Sequence, residues 1–351
     1  MAGGNGSRFW PITRDDLPKQ FVDFTGEKTF IRRTWERFSS IFPADHILVV
    51  TMDRYAGRVR EQIPELLPEN LLLEPYSRST APCLTYASLS VLNRDPDAVI
   101  LATPSDLVIE DNDQFRNTVE NALDYASGHD VLMTLGIVPT SPDVNFGYIQ
   151  VKSAHSSTKG PFQVKTFTEK PDRALAEVFC KSGEFFWNSG MYFCRASVLR
   201  DQIARFVPEV FSLFEDMSGV IGTPSERAYV ERAYMDCPKV SLDYGVMEKT
   251  DCAWLYPAMF GWSDIGSWDS LYRFLPRKDD EGNAVNTPSI SEGNTGCIMV
   301  SMNRKKLMAV KGLKDYLVID TDDALMICPR KDKDVKEFLS DIGMPQYEPY
   351  R

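Results

Sequence analysis

From Phe21 to about Pro208 the chain alternates short, continuous apolar runs with segments whose apolar residues recur at helical spacing. The runs at 47–51, 71–73, 98–102 and 131–135 are nearly unbroken Val, Ile, Leu and Ala, as strands buried on both faces are. Between them Phe115, Val119, Ala122, Leu123 and Ala126 fall on one face of a helix, with Asp111 or Asp113 placed to cap its start. A further strand is read at 162–168. This alternation predicts an α/β fold with a doubly wound, mixed, mostly parallel sheet, whose ligands bind beyond the carboxyl ends of the strands. Glu74 and Asp106 stand at such ends.

Near 279–283 the texture changes. Apolar runs at 297–300, 307–310, 316–319 and 324–328 follow, bounded by Gly, Asn, Asp and Lys turns about ten residues apart, the mark of an all-β unit. Val335, Phe338, Leu339 and Ile342 then give a last helix, with Asp332 as its possible cap. Two domains are expected, 1–283 and a short β-rich unit over 284–351.

Composition narrows the function. A hydrophobic content of 43% with 25% charged residues is that of an ordinary globular chain, and no apolar run reaches the ~20 residues that cross a bilayer. The seven cysteines are odd in number and form no C-x-x-C pair, which predicts reduced thiols and a cytoplasmic setting. A net charge of −11 argues against nucleic acid as a partner. If such an acidic chain binds phosphates, a few placed cations and a divalent metal must do it locally.

The N-terminus supplies those cations. Gly3, Gly4 and Gly6 permit positive φ and close approach of main-chain N–H groups, and Arg8, Arg14 and Lys19 follow. The spacing is neither a Walker loop nor G-x-G-x-x-G. Trp10-Pro11 and Pro18-Lys19-Gln20-Phe21 anchor the segment with apolar groups that disordered tails lack. The stretch Gly3-Gly4-x-Gly6-x-Arg8-Phe9-Trp10-Pro11-x-x-Arg14 with Pro18-Lys19-Gln20-Phe21 resembles the signature of the sugar-nucleotide pyrophosphorylases, and most closely that of their mannose-1-phosphate guanylyltransferase branch. The resemblance continues through Leu73-Glu74-Pro75, Arg78-Ser-Thr-Ala-Pro82, Pro104-Ser105-Asp106, Phe146-Gly147-Tyr148-Ile149, Glu169-Lys170-Pro171, Trp187-Asn188-Ser189-Gly190-Met191, Ser241-Leu242-Asp243-Tyr244 and Trp262-Ser263-Asp264-Ile265-Gly266-Ser267-Trp268.

The resemblance implies a Rossmann-like nucleotidyltransferase domain with a left-handed β-helical segment after it. It implies a homodimer, with GTP and mannose 1-phosphate as substrates. Joining a sugar 1-phosphate to a nucleoside triphosphate needs no general base, because the nucleophile is already an anionic oxygen; the barrier lies in aligning two polyanions. Arg8, a planar fork of donors, suits the triphosphate, and Lys19, a mobile point charge, suits the α-phosphate. By resemblance these two are the catalytic cations, and Arg14 sits at a third family position. Ala2, Gly3, Gly4, Gly6, Ser7 and Ser105 are expected around the nucleotide, with Glu74, Arg78 and Thr80 facing the base. Gly147, Glu169, Asn188 and Asp243 are expected to form the sugar pocket, where fixed carboxylates and amides discriminate between hydroxyl patterns. Asp106 and Asp264 are expected to hold Mg²⁺, which favours one or two carboxylates together with substrate oxygens. Trp187, Trp262 and Trp268 are read as core or wall, and His46, His129 and His155 as loop or surface residues.

Two other readings stand beside this one: the same chemistry on another sugar phosphate or nucleotide, and a non-catalytic sugar-nucleotide-binding regulator on the same fold. Retention of Arg8, Lys19, Asp106 and Asp264 together disfavours the regulator. Some family members carry a sugar-isomerase domain after the transferase; the transferase alone is expected here. The family's glycine loop also follows a buried apolar strand, whereas Met1 directly precedes Ala2-Gly3-Gly4. A natural product beginning several apolar residues earlier is therefore expected, with the alternative that another segment or solvent fills that place.

Overall fold

The computed structural model describes residues 1–4, 7–152, 160–275 and 278–351; the side chains of Ser7, Asp332 and Lys333 lie outside that description, as do Gly6 and His155. Among the described residues up to 283 there are ten strands: β1 (Val49–Met52), β2 (Leu71–Glu74), β3 (Val99–Ala102), β4 (Leu107–Ile109), β5 (Leu132–Ile137), β6 (Tyr148–Val151), β7 (Phe162–Thr168), β8 (Phe185–Arg195), β9 (Ala253–Ala258) and β10 (Trp262–Asp264). Six of them form one sheet in the order β3-β8-β5-β9-β7-β6. Beside it β1 pairs with β2, and β10 pairs with β4.

Alternate side chains of this sheet enter two cores. Leu132, Tyr192, Cys194 and Leu255 pack with Leu84, Leu199 and Ile203 on one face. Met133, Leu135, Phe193 and Met191 pack with Phe115, Val119, Ala122 and Ala176 on the other. Helices on both faces make the sheet doubly wound, as the alternation predicts. It is mixed, with more antiparallel pairing than unbroken apolar runs suggest: β1–β2 and β5–β9 are parallel, while β8 runs antiparallel to β3, β5 and β6. Burial on both faces produces such runs whatever the direction of the neighbours. The helix Asn112–Gly128 forms where its apolar face predicts, and Asp111, rather than Asp113, caps it by accepting from the Gln114 N–H at 2.9 Å.

Beyond residue 283 the strands are β11 (Ala284–Val285), β12 (Ser289–Glu292), β13 (Ile298–Ser301), β14 (Met308–Lys311), β15 (Tyr316–Asp320) and β16 (Leu325–Pro329). β11, β13 and β15 stack in parallel, as β12 and β14 do on a second face, which gives the β-helical-like coil. Buried Asn283 and Asn294 satisfy its turns: the Asn283 amide donates to Asn294 O at 3.0 Å, and the Asn294 amide to Val310 O at 2.7 Å. The last helix, Asp332–Ile342, begins one residue beyond Lys331, which occupies the cap position without a side-chain bond.

The coil shares a core with the glycine-loop segment. Phe9, Ile12, Phe24, Phe30 and Trp268 bury against Ile298, Val300, Leu317, Ile319 and Met326. Arg14 points the same way, with Nη2 2.7 Å from Asp323 Oδ1, so this family position buttresses the coil. No helix among the described residues is long and apolar enough to cross a membrane.

Met1 and Ala2 run between β1 and β3. The Ala2 N–H donates to Val50 O at 2.7 Å, the Met1 ammonium to Thr103 O at 2.8 Å, and the Ser105 N–H to Met1 O at 3.1 Å. Behind Met1 the strands part around a cleft of about 500 Å³, with Leu48 and Val50 on one wall and Val99–Ala102 on the other. Val99, Ile100 and Leu101 are left half-exposed there.

Candidate active site

The ends of these elements converge on a cleft of about 530 Å³ that Arg8, Lys19, Asp106, Gly147, Glu169, Asn188, Asp243 and Asp264 all line. Lys19 and Gln20 lie in the short turn Lys19–Phe21, both buried, and their side chains diverge. The Gln20 amide donates to the carbonyls of Ala2 at 2.8 Å and Gly4 at 3.0 Å, pinning the glycine loop. Gln20 was not among the expected site residues; its signal was its place beside Lys19 in the same turn. Neither Gly3 nor Gly4 adopts positive φ. What Gly3 supplies is room, since a Cβ there would sit 3.1 Å from Glu74 Oε2.

Lys19 points the other way. Its Nζ lies 2.8 Å from Asp106 Oδ2, 3.3 Å from Asp264 Oδ1 and 2.6 Å from Ile265 O. Burial disfavours its charge, but the two carboxylates outweigh burial and raise its pKa, so it stays an ammonium. Asp264 is pushed up by burial and by the Asp106 charge, although Lys19 opposes this. One monovalent cation thus faces two carboxylates, a net negative pair suited to a divalent ion. Among the described residues no cluster of three or more His, Cys, Asp or Glu forms a closed metal cage. Two carboxylates with open space beside them match what Mg²⁺ needs when phosphates and water complete its shell. Arg8 stands at the rim, its Nη1 3.2 Å from Gly266 O.

The opposite wall is built on β8. Asn188 interrupts an aromatic run, and four polar groups satisfy its buried amide. Oδ1 accepts from Thr134 Oγ1 at 2.7 Å and Gly190 N at 3.2 Å, while Nδ2 donates to Asp243 Oδ1 at 2.9 Å and Tyr192 Oη at 3.3 Å. The Tyr192 hydroxyl also donates to Asp243. Tyr192 went unrecognised in the sequence, although strand periodicity places it on the Asn188 face of β8. Gly147 faces this network: a Cβ there would lie 2.4 Å from Glu169 Oε2, so only glycine leaves the carboxylate its place. Burial raises the pKa of both Glu169 and Asp243, and each carboxylate has a cationic or hydroxyl partner, Lys170 or Tyr192. Lys170 itself adopts φ +48°, a strained conformation of the kind held at functional sites.

The segment expected to face the base is turned inward. Glu74 is 4% exposed and accepts from Tyr234 Oη at 2.9 Å. Arg78 donates to Tyr234 O and Met235 O, and Thr80 Oγ1 accepts from the Leu242 N–H. None of the three lines the cleft: their side chains tie β2 and the helix that begins at Thr80 to the segment 234–242. Ser105 is likewise engaged through its main chain, with O accepting from Thr34 Oγ1 at 3.0 Å. Ser77, Asn145 and Lys239, which no motif marks, also line the cleft. Trp187 and Trp262 form wall against Phe146, and Trp268 packs on Phe9 in the core. His46 and His129 are exposed, away from the cleft.

Burial raises the Glu74 pKa to about 7, against the pull of Tyr234, the Met1 ammonium and Cys83. Because its folded value lies above the ordinary 4.5, folding favours the protonated form, and its contribution to stability is lost as pH rises through 7. At 1.36 kcal/mol per unit, that loss is about 3 kcal/mol. Glu74→Gln should flatten it, gaining stability relative to wild type between pH 5 and pH 8. Denaturant titrations at the two pH values check this; an unchanged difference refutes it.

With this geometry in view, residues 1–280 match the model of the nucleotidyl transferase family. The chain is similar to a mannose-1-phosphate guanylyltransferase of Klebsiella pneumoniae, 34% identical over 364 residues that cover 100% of this chain and 75% of that protein. It is also 34% identical over 346 residues to the xanthan biosynthesis protein XanB of Xanthomonas campestris, covering 97% of this chain and 72% of the other. In three dimensions it resembles the crystal structure titled mannose-1-phosphate geranyltransferase from Thermus thermophilus, with a TM-score of 0.85, 26% identity and 98% of each chain covered.

Proposed function

The chain belongs to the nucleotidyl transferase family, among relatives named mannose-1-phosphate guanylyltransferase, and we propose that it transfers GMP from GTP to mannose 1-phosphate. The observation that carries this reading is the convergence of Arg8, Lys19, the Asp106–Asp264 pair and the Asn188–Asp243–Glu169 network on one cleft. A phosphate oxygen of the sugar phosphate attacks the α-phosphorus, the bond from that phosphorus to the bridging β-oxygen breaks, and pyrophosphate leaves as GDP-mannose forms. Arg8 grips the triphosphate and Lys19 meets charge at the α-phosphate. The main chain of residues 2–4 borders the nucleotide, and Gly147, Glu169, Asn188 and Asp243 read the sugar hydroxyls. Mg²⁺ would be held by Asp106 and Asp264 and would neutralise phosphate charge.

The seven unpaired cysteines support a reducing, cytoplasmic setting. Outward-facing Leu325 and Ile327 on β16, 61% and 51% exposed, support self-association as a homodimer. Residues 1–283 are proposed as the catalytic unit and 284–351 as its β-rich support.

Pyrophosphate release, measured with each of four nucleoside triphosphates against mannose, glucose and N-acetylglucosamine 1-phosphates, tests the reading. GTP with mannose 1-phosphate should dominate; another preferred pair would reassign the substrates. Asp106→Asn and Asp264→Asn should each abolish Mg²⁺-dependent turnover without unfolding the protein. Lys19→Ala should lower kcat about 10²–10³-fold with little change in GTP affinity, as loss of a transition-state donor does. An unchanged kcat removes Lys19 from the chemistry.

A further inference from the structure

Lys19 poses a difficulty for any role at a phosphate. Its ammonium has three donors, and all three are taken, by Asp106 Oδ2 at 2.8 Å, Asp264 Oδ1 at 3.3 Å and Ile265 O at 2.6 Å. The side chain is only 7% exposed. Its backbone is fixed by the turn that also sends Gln20 under the glycine loop. As placed, Lys19 is therefore a counter-ion for the aspartate pair and cannot reach a substrate.

The two aspartates arrive from different elements, Asp264 at the end of β10 and Asp106 just before β4. Bringing two half-buried carboxylates together without a cation is unfavourable, because like charges repel and water is partly excluded. We propose that Lys19 is a built-in placeholder: it holds Asp106 and Asp264 converged while no divalent cation is bound, and it is displaced from them when one binds. The proposal rests on the reading of this pair as a metal site. Charge makes the exchange economical. Two carboxylates with one ammonium carry −1; two carboxylates with a divalent ion carry none, and the released ammonium adds +1 to a cleft that must hold phosphates. Metal loading and release of Lys19 toward the substrate are then one event, so the chain presents its mobile cation only once the metal is seated.

Competition for the same oxygens has measurable consequences without turnover. Mn²⁺ binding without nucleotide, followed by the electron paramagnetic resonance of the free ion, should be at least tenfold tighter in Lys19→Gln than in wild type. Lys19→Arg, which keeps a cation, should bind as weakly as wild type. Equal or weaker binding by Lys19→Gln overturns the proposal while leaving the metal site standing. Asp106→Asn placed in the Lys19→Gln background should abolish the tight binding; if it does not, the pair is not the metal site and the proposal falls with that reading.

A second measurement uses the unaltered chain and guards against a misfolded variant. Acetylation of Lys19 by acetic anhydride, read by mass spectrometry, should be slow in EDTA and at least tenfold faster with Mg²⁺. A rate unchanged or lowered by Mg²⁺ means that Lys19 stays on the carboxylates, and the proposal is wrong.

Discussion

Cutting the chain after Asn283 should leave an aggregating, inactive polypeptide rather than a smaller soluble enzyme. The coil beyond that point contributes Ala284, Ile298, Val300, Leu317, Ile319, Met326, Cys328 and Val335 to the core that also buries Phe9, Phe24, Phe30 and Trp268. Fully burying such an aliphatic side chain is worth roughly 1.5–3 kcal/mol, so the lost burial is comparable to a typical folding stability of about 5–15 kcal/mol. The cut also removes Asp323 from Arg14, and Arg330 from Asp269 at 2.8 Å and from the face of Tyr272 at 3.9 Å. Trp10 Nε1 loses its acceptor, Tyr350 O at 2.7 Å. Because Phe9 and Trp10 directly follow the glycine loop, the loop loses its anchor together with the core. Soluble yield, dye binding to exposed apolar surface and thermal unfolding check this. A truncated chain that melts like wild type and keeps its activity would show that the coil only decorates the fold.

The same shared core shows where sequence reading is strong and where it stops. Continuous apolar runs located β1, β2, β3, β5 and the coil strands β13 to β16 to within a residue or two, because burial leaves a local trace, whereas β11, of two residues, and the exposed β12 left none. Strand direction leaves none: β3 and β5 read as the continuous apolar strands of a parallel sheet, yet both pair antiparallel with β8. Nor does periodicity show that the coil and the N-terminal segment close over one another, since that core is assembled from residues at opposite ends of the chain.

At the site, chemistry was legible where a motif carries it and illegible where geometry does. Arg8, Lys19, Asp106, Asp264, Gly147, Glu169, Asn188 and Asp243 share one cleft, as their motifs suggest. Glu74, Arg78 and Thr80 belong to an equally distinct motif, but their polar atoms are taken by Tyr234, Met235 and Leu242. A motif says that a residue type is needed, not whether it faces ligand or core. Tyr192 and Gln20 illustrate the converse. Each acts through another residue, Asn188 and the glycine loop respectively, and such positioning needs contacts that no single sequence window contains.

Placing five apolar, β-branched residues before Met1 should stabilise the protein and tighten nucleotide binding. The hydrogen bonds of Met1 to Thr103 and Ser105, just past the end of β3, and of Ala2 to Val50 on β1, already have the form of a parallel strand entering between the two. Among the described residues, the facing edges of β1 and β3 have no other ladder partner. The cleft of about 500 Å³ behind Met1 offers Leu48, Val50, Val99, Ile100 and Leu101 to whatever lies there. A strand in that place would pair both edges and cover apolar surface, at ~1.5–3 kcal/mol per buried side chain against ~1–2 kcal/mol per residue of backbone ordering. The net gain is on the order of 3 kcal/mol, a rise of about 4 °C for a chain of this size. An extension also moves the Met1 ammonium, whose pKa burial lowers, out of a site it occupies unfavourably. A Gly-Ser extension of equal length separates the two effects, since it removes the buried charge but buries nothing apolar. The apolar extension should melt higher than the Gly-Ser one and bind GTP more tightly, because the strand leads straight into the glycine loop. Equal melting and equal affinity of the two would show that the cleft between β1 and β3 gains nothing from a strand, and that Gln20, Val50 and Thr51 hold the glycine loop without one.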